Sequence, residues 1–293
     1  MSLQGMVDQV KSLGLKQILG YLDANPEEHL PQLLAWVDVL DTSHTYAGQR
    51  EAFHHILAEK ESNHWYHLLL SLWSDIDPHV RKMFFENFIV NASVLGAKRR
   101  LKAIKEHDCN IPWAILMDPT SACNLACTGC WAADYGEAMH LELDVLDSIV
   151  QQGRALGIHM YIFSGGEPLL RKEDILILCT RYSDCVFMAF TNGTLIDEEF
   201  ARQMLKVGNF IPAISVEGFG EATDNRRGVG TYARVLEAMQ ILKRHKLIFG
   251  ASCCYTSKNT ESMGSSAFID TLVDHGAKFA WFFTYIPVGA SAD

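Results

Sequence analysis

Three cysteines fall within one short run, CNLACTGC, at Cys123, Cys127 and Cys130. Thiolates are soft ligands that suit zinc and iron–sulfur clusters. Structural zinc calls for four protein ligands, usually as two separated pairs. Here one pair and a single are crowded together, the nearest other candidate is His140, and Cys109 lies on the far side of an apolar run. Four readings compete, one being that the three cysteines are simply buried and inert. A redox dithiol at Cys127 and Cys130 expects the pair at the start of a helix and leaves Cys123 unexplained. A zinc site needs a distant residue to complete it. A four-iron cluster held by three thiolates keeps one iron open to substrate or cofactor, as a catalytic zinc site keeps a position free. Only the last gives the missing fourth ligand a purpose.

A second set of residues lies downstream in FSGGEPLL. Ser164, Gly165, Gly166, Glu167 and Pro168 combine two glycines, which let a backbone approach closely, with a carboxylate suited to an ammonium group. Beyond these come Thr191-Asn192-Gly193 and Ser215-Val216-Glu217-Gly218, each pairing small polar groups with a glycine. Arg226 and Arg227 can each pair with a carboxylate in a fork geometry. Near the end, Pro287 and Gly289 in TYIPVG can shape a backbone ledge for a flat ring.

These residues need a scaffold that brings them to one place. After Asp108, short apolar runs alternate with helical patterns. Strands are expected at Trp113–Met117, His159–Phe163, Val186–Phe190, Ile211–Val216, Leu247–Tyr255 and Lys278–Tyr285. Helices are expected near Leu143–Leu156, Glu173–Tyr182, Glu198–Val207 with Asp197 as N-cap, Tyr232–His245 and Ala267–His275. Strands separated by helices make βαβ units and a parallel sheet. Periodicity leaves open whether that sheet curls toward a barrel, but in either case ligands bind at the carboxyl ends of the strands. The cysteines, the Gly-Gly-Glu run and the polar glycine turns all fall there. The loop FGEATDNRRGVGTY reads as a surface turn. Alternation sends Cys253 and Cys254 to opposite faces of the fifth strand; one is a candidate for the cavity, although both are expected to be structural.

The first hundred or so residues read as helices near Val7–Leu22, Leu33–Val39, Glu51–Ala58, Trp65–Leu72 and Val80–Leu95, punctuated at Asn25-Pro26 and Asp77-Pro78. Their expected part is packing. The division is thus a helical segment, 1–108, and an α/β core, 109–293.

With 48% hydrophobic and 20% charged residues, the composition is that of an ordinary globular protein. No secretory signal or membrane-length apolar run is visible, which points to the cytoplasm, where eight cysteines stay as thiols. A net charge of −10 without a basic stripe argues against a nucleic-acid partner.

The ordered set CNLACTGC, SGGEP, TNG, SVEG and IPVG resembles the radical S-adenosylmethionine (radical SAM) superfamily over about residues 111–289, most closely members with a C-terminal SPASM or twitch region. That resemblance implies an α/β fold, a partial (β/α)6 barrel of parallel strands with helices outside, preceded by an all-helical segment. It implies that Cys123, Cys127 and Cys130 hold a [4Fe–4S] cluster and that SAM binds the open iron. Ser164, Gly165, Gly166, Glu167 and Pro168 would form the methionyl end of the cofactor site. Ser215 and Glu217 would lie near the ribose and Arg226 or Arg227 by the carboxylate, with Thr191, Asn192 and Pro287 also binding the cofactor. It also implies a radical enzyme acting on a peptide or small molecule, with a one-electron donor such as flavodoxin or ferredoxin. Two departures stand out. Gly129 occupies the position before the third cysteine, which in the family is often aromatic and near the adenine, and Trp131 follows. No cysteine follows Cys254, so the chain is expected to lack the C-terminal region with auxiliary clusters. The rival readings are a scaffold protein using the cysteines structurally and a core that binds SAM without turnover.

Overall fold

The computed structural model describes residues 17–40, 47–136 and 138–287. Its centre is a six-stranded sheet: β1 (Ala114–Met117), β2 (Met160–Phe163), β3 (Val186–Thr191), β4 (Phe210–Ser215), β5 (Gly250–Tyr255) and β6 (Ala280–Thr284). The strands pair in chain order and every pairing is parallel. Within the described residues β1 and β6 pair on one side only, so the sheet is a half-barrel, open laterally between them.

Strands of a parallel sheet covered on both faces read as continuous apolar runs rather than alternations. MYIF of β2 and FIPAIS of β4 are buried along their whole length, whereas AWFFT of β6 grows more exposed toward its end. Outside the sheet lie α7 (Leu143–Ala155), α8 (Lys172–Arg181), α9 (Glu198–Val207), α10 (Gly220–Arg227), α11 (Thr231–Arg244), α12 (Thr260–Met263) and α13 (Ser266–Asp274). The longer ones bury a stripe: α7 uses Leu146, Val150 and Gly153, α11 uses Val235, Ala238, Met239 and Leu242. Asp197 caps α9 as expected, its carboxylate accepting from the Phe200 amide at 2.7 Å. The polar loop expected after β4 contains α10.

The preceding residues are helical: α1 (17–24), α2 (Pro26–Leu40), α3 (Ala47–Ala58), α4 (His64–Ser74), α5 (Pro78–Phe84), a π-helical run Phe85–Leu95, and α6 (Gly96–His107). The expected Val7–Leu22 helix lies outside the described residues up to residue 16. These helices fasten to the turns that precede the strands. Asn87 donates to the carbonyls of Ser183 (2.9 Å) and Cys185 (3.2 Å), and Asn91 to that of Asp184 (3.1 Å). Buried Arg100 donates to the Gly157 carbonyl at 2.9 Å. The helical segment therefore closes the end of the half-barrel opposite the cysteines. No helix among the described residues is long and apolar enough to cross a membrane.

Candidate active site

At the carboxyl ends of the strands the loops after β1 and β2 are laced together through their backbones. Amides of Ser164, Gly166 and Glu167 donate to the carbonyls of Met117 (2.9 Å), Thr120 (3.0 Å) and Ala122 (2.8 Å). This approach explains both glycines. Gly165 has φ +101°, and a Cβ there would lie 2.6 Å from the Thr120 carbonyl oxygen; one at Gly166 would run into the Ala122 carbonyl. The sequence reading assigned the glycines to approach by a ligand. Here they admit a neighbouring strand of backbone.

Cys123, Cys127 and Cys130 are half-buried and line one cavity of about 630 Å3, together with Ser164, Gly165, Gly166, Glu167, Asn192, Ser215, Arg226 and Arg227. Eleven of the expected site residues thus meet in one place. The three sulfurs are not gathered as a single-ion set. Among the described residues the group of three potential ligands within 4.8 Å of one another is His159, Asp184 and Cys185, beside the turns that precede β2 and β3. Burial pushes the Cys127 thiol up, and the Arg227 guanidinium, with Nη1 3.9 Å from Sγ, pulls it back toward thiolate.

Several of these residues, with Thr191, Pro168 and Glu217 behind them, turn their polar groups to one another. Glu167 was expected to offer its carboxylate at the mouth. It is buried instead, and accepts from the Thr191 hydroxyl (2.6 Å), the Asn192 amide (2.8 Å) and the Leu169 amide (2.9 Å). Burial pushes its pKa up against the pull of these donors. Thr191 is buried as part of that clasp, and Pro168 opens the turn after it. Asn192 donates to Asn124 at 2.8 Å, tying the loop after β3 to the cysteine loop.

Glu217 and the two arginines, expected to face different parts of a ligand, face each other. The Glu217 side chain has no exposed surface; it accepts from Arg226 Nη1 at 3.2 Å and takes the Arg227 fork through Nε and Nη2, both at 2.5 Å. Burial works against the Arg227 charge, yet Glu217 more than offsets it and the guanidinium pKa lies above its ordinary value. Arg226 also clasps the cysteine loop, its carbonyl accepting from the Thr128 amide at 2.8 Å. Pro287 lines an adjoining cavity of about 750 Å3, and Gly289 lies outside the described residues.

The structure adds residues that motif reading passed over. Phe190, Ser252, Phe283 and Tyr285 line the cysteine cavity, and of the Cys253–Cys254 pair it is Cys254 that does so while Cys253 is buried. Strand alternation was the available signal for all but Tyr285. Tyr285 follows β6, donates its amide to the Tyr255 carbonyl at 3.0 Å, and lays its ring on Gly129, with the Arg226 guanidinium 5.8 Å from the ring centre. A Cβ at Gly129, where φ is +66°, would lie 2.5 Å from the Tyr285 hydroxyl oxygen. Gly129→Ala is expected to cost about 1–2 kcal/mol from left-handed backbone alone, plus displacement of the ring. Urea unfolding in wild-type and Tyr285→Ala backgrounds separates the two: coupling below about 0.5 kcal/mol would remove the ring from the account.

Comparison with known proteins agrees with this geometry. The radical SAM superfamily model matches residues 117–257. The AdoMet-dependent heme synthase of Methanosarcina barkeri is 28% identical over 187 residues, covering 61% of this chain and 52% of that protein. A cysteine-type anaerobic sulfatase-maturating enzyme of Clostridium perfringens is 30% identical over 167 residues, covering 50% of this chain and 45% of that one. The solved structure of native anSMEcpe with bound AdoMet superposes with a TM-score of 0.51 at 25% identity, over 60% of this chain and 52% of that chain. The chain thus spans about half the length of these relatives. The radical SAM family uses a [4Fe–4S] cluster and SAM, and the half-barrel, the cysteine trio and its cavity accommodate both. Residues 117–257 are a radical SAM domain, with homologues in the radical SAM superfamily.

Proposed function

We propose that the protein is a radical enzyme in which Cys123, Cys127 and Cys130 hold the cluster as thiolates. Bound there, the cluster and SAM would supply one-electron chemistry for removing a hydrogen atom from the substrate. The chain's own part is placement. Ser164, Gly165 and Gly166 form the wall for the methionyl end, Asn192 and Ser215 the wall nearer the ribose, and the Tyr285 ring supplies the aromatic face that Gly129 lacks. Glu167, Thr191 and Pro168 hold that wall from behind, and Glu217 holds Arg226 and Arg227 against the cysteine loop. Pro287 borders the ring end. A heme synthase and a sulfatase-maturating enzyme among the relatives support a small-molecule or peptide substrate. The division into residues 1–108 and 109–293, a flavodoxin- or ferredoxin-type donor and a cytoplasmic setting complete the reading.

The observation that carries it is the trio of half-buried cysteines around one cavity with Ser164, Gly165, Gly166 and Arg227. Anaerobic reconstitution with iron and sulfide, reduction and addition of SAM is expected to release 5′-deoxyadenosine and methionine in equal amounts. Firmly held zinc without visible absorption, or a cluster that never cleaves SAM, would refute the proposal.

A further inference from the structure

The cysteine cavity has two chemistries. Its polar side is Ser164, Asn192, Ser215 and the arginines; its other side is built from Leu116, Phe190, Phe283 and Ile286. Sheet register makes the second side one surface. Leu116 lies on β1, Phe190 on β3, and Trp281 and Phe283 project two residues apart from β6. Three rings interlock there: Phe190 meets Trp281 at 5.1 Å and 61°, and Phe283 at 5.5 Å and 83°. Leu116 is 56% and Phe283 41% exposed, although both point into a half-barrel whose interior is ordinarily filled by side chains. They stand on the two edge strands that flank the lateral opening.

We infer that this wall is the substrate subsite, and that it takes a flat conjugated macrocycle of the tetrapyrrole type, seated between β1 and β6 with one edge toward the cysteine loop. The inference rests on the radical reading above and names its substrate class. Three observations support it. Leu116, Phe190, Phe283 and Ile286 line the same cavity as the cysteines, so whatever covers them lies beside the reacting centre. The five side chains, Leu116, Phe190, Trp281, Phe283 and Ile286, carry one polar group between them, the Trp281 indole N–H. A peptide backbone crossing them would leave its amides and carbonyls unpaired, at a cost of a few kcal/mol for each group, whereas the faces of a macrocycle ask for no such partners. Edge-to-face rings also leave a surface on which a further flat ring stacks favourably.

The test is titration of the anaerobically reconstituted protein with metal-free coproporphyrin III, read by the shift of its main absorption band and by quenching of tryptophan emission. Saturable binding is expected. Phe283→Ser and Leu116→Ser, at positions already exposed, are each expected to weaken it about tenfold or more, with Phe283→Tyr restoring most of the affinity. Circular dichroism and iron content confirm that the variants are folded. No binding, binding indifferent to these substitutions, or preferential binding of a cysteine-containing peptide to the same wall would each overturn the inference. SAM cleavage by the unsubstituted protein without porphyrin reports separately on the radical reading, so failure of one is distinguishable from failure of the other.

Discussion

Replacing Cys127 with alanine is expected to abolish the iron-dependent visible absorption of the reconstituted protein and to reduce 5′-deoxyadenosine formation to the level seen without protein. The expectation is total because a cluster already short of one protein ligand has none to spare. Cys127 also carries the contact with Arg227, so its loss removes a ligand and leaves the guanidinium without its sulfur neighbour. Cys123→Ala and Cys130→Ala should behave alike. Cys109→Ser, at an exposed position remote from the cavity, should leave iron content unchanged. Iron content, sulfide content and absorption, measured together without oxygen, provide the check. Retention of a full cluster in any of the three variants would reassign that cysteine.

The second large effect is on stability. Glu217→Ala leaves the Arg227 side chain, 12% exposed, and Arg226, 17% exposed, without their shared carboxylate. Removing one partner of a buried ion pair typically costs about 3–5 kcal/mol, because the remaining charge stays desolvated. For a chain of this size that corresponds to a thermal midpoint lower by on the order of 10 °C. Combining Glu217→Gln with Arg227→Met should recover part of the loss, since an uncharged pair has less to desolvate. A fall below about 1 kcal/mol in Glu217→Ala would show that water replaces the carboxylate and that the three residues are not a unit.

Much of the scaffold was legible because its signals are local. An uninterrupted apolar run is what a doubly covered parallel strand requires, and β2, β3 and β4 begin within one residue of their expected starts. Asp197 announced α9 through its position ahead of an amphipathic pattern. The rim motifs were legible for the same reason: they follow strands. What could not be read was the partner of each carboxylate. Glu167 looks like a ligand group until Thr191 and Asn192, one strand over, take up its oxygens. Glu217 depended on α10, whose residues GEATDNRR bury only Thr223 and so show no apolar stripe. The Tyr285–Gly129 contact joins opposite ends of the core, and no periodicity links two such positions.

The lacing between the loops has a consequence for the cysteines. The bonds from Gly166 to Thr120, Glu167 to Ala122 and Thr128 to Arg226 are all made by the chain to itself. The cysteine loop is therefore tethered on two sides by backbone bonds that involve no sulfur, which leaves all three thiolates to the cluster.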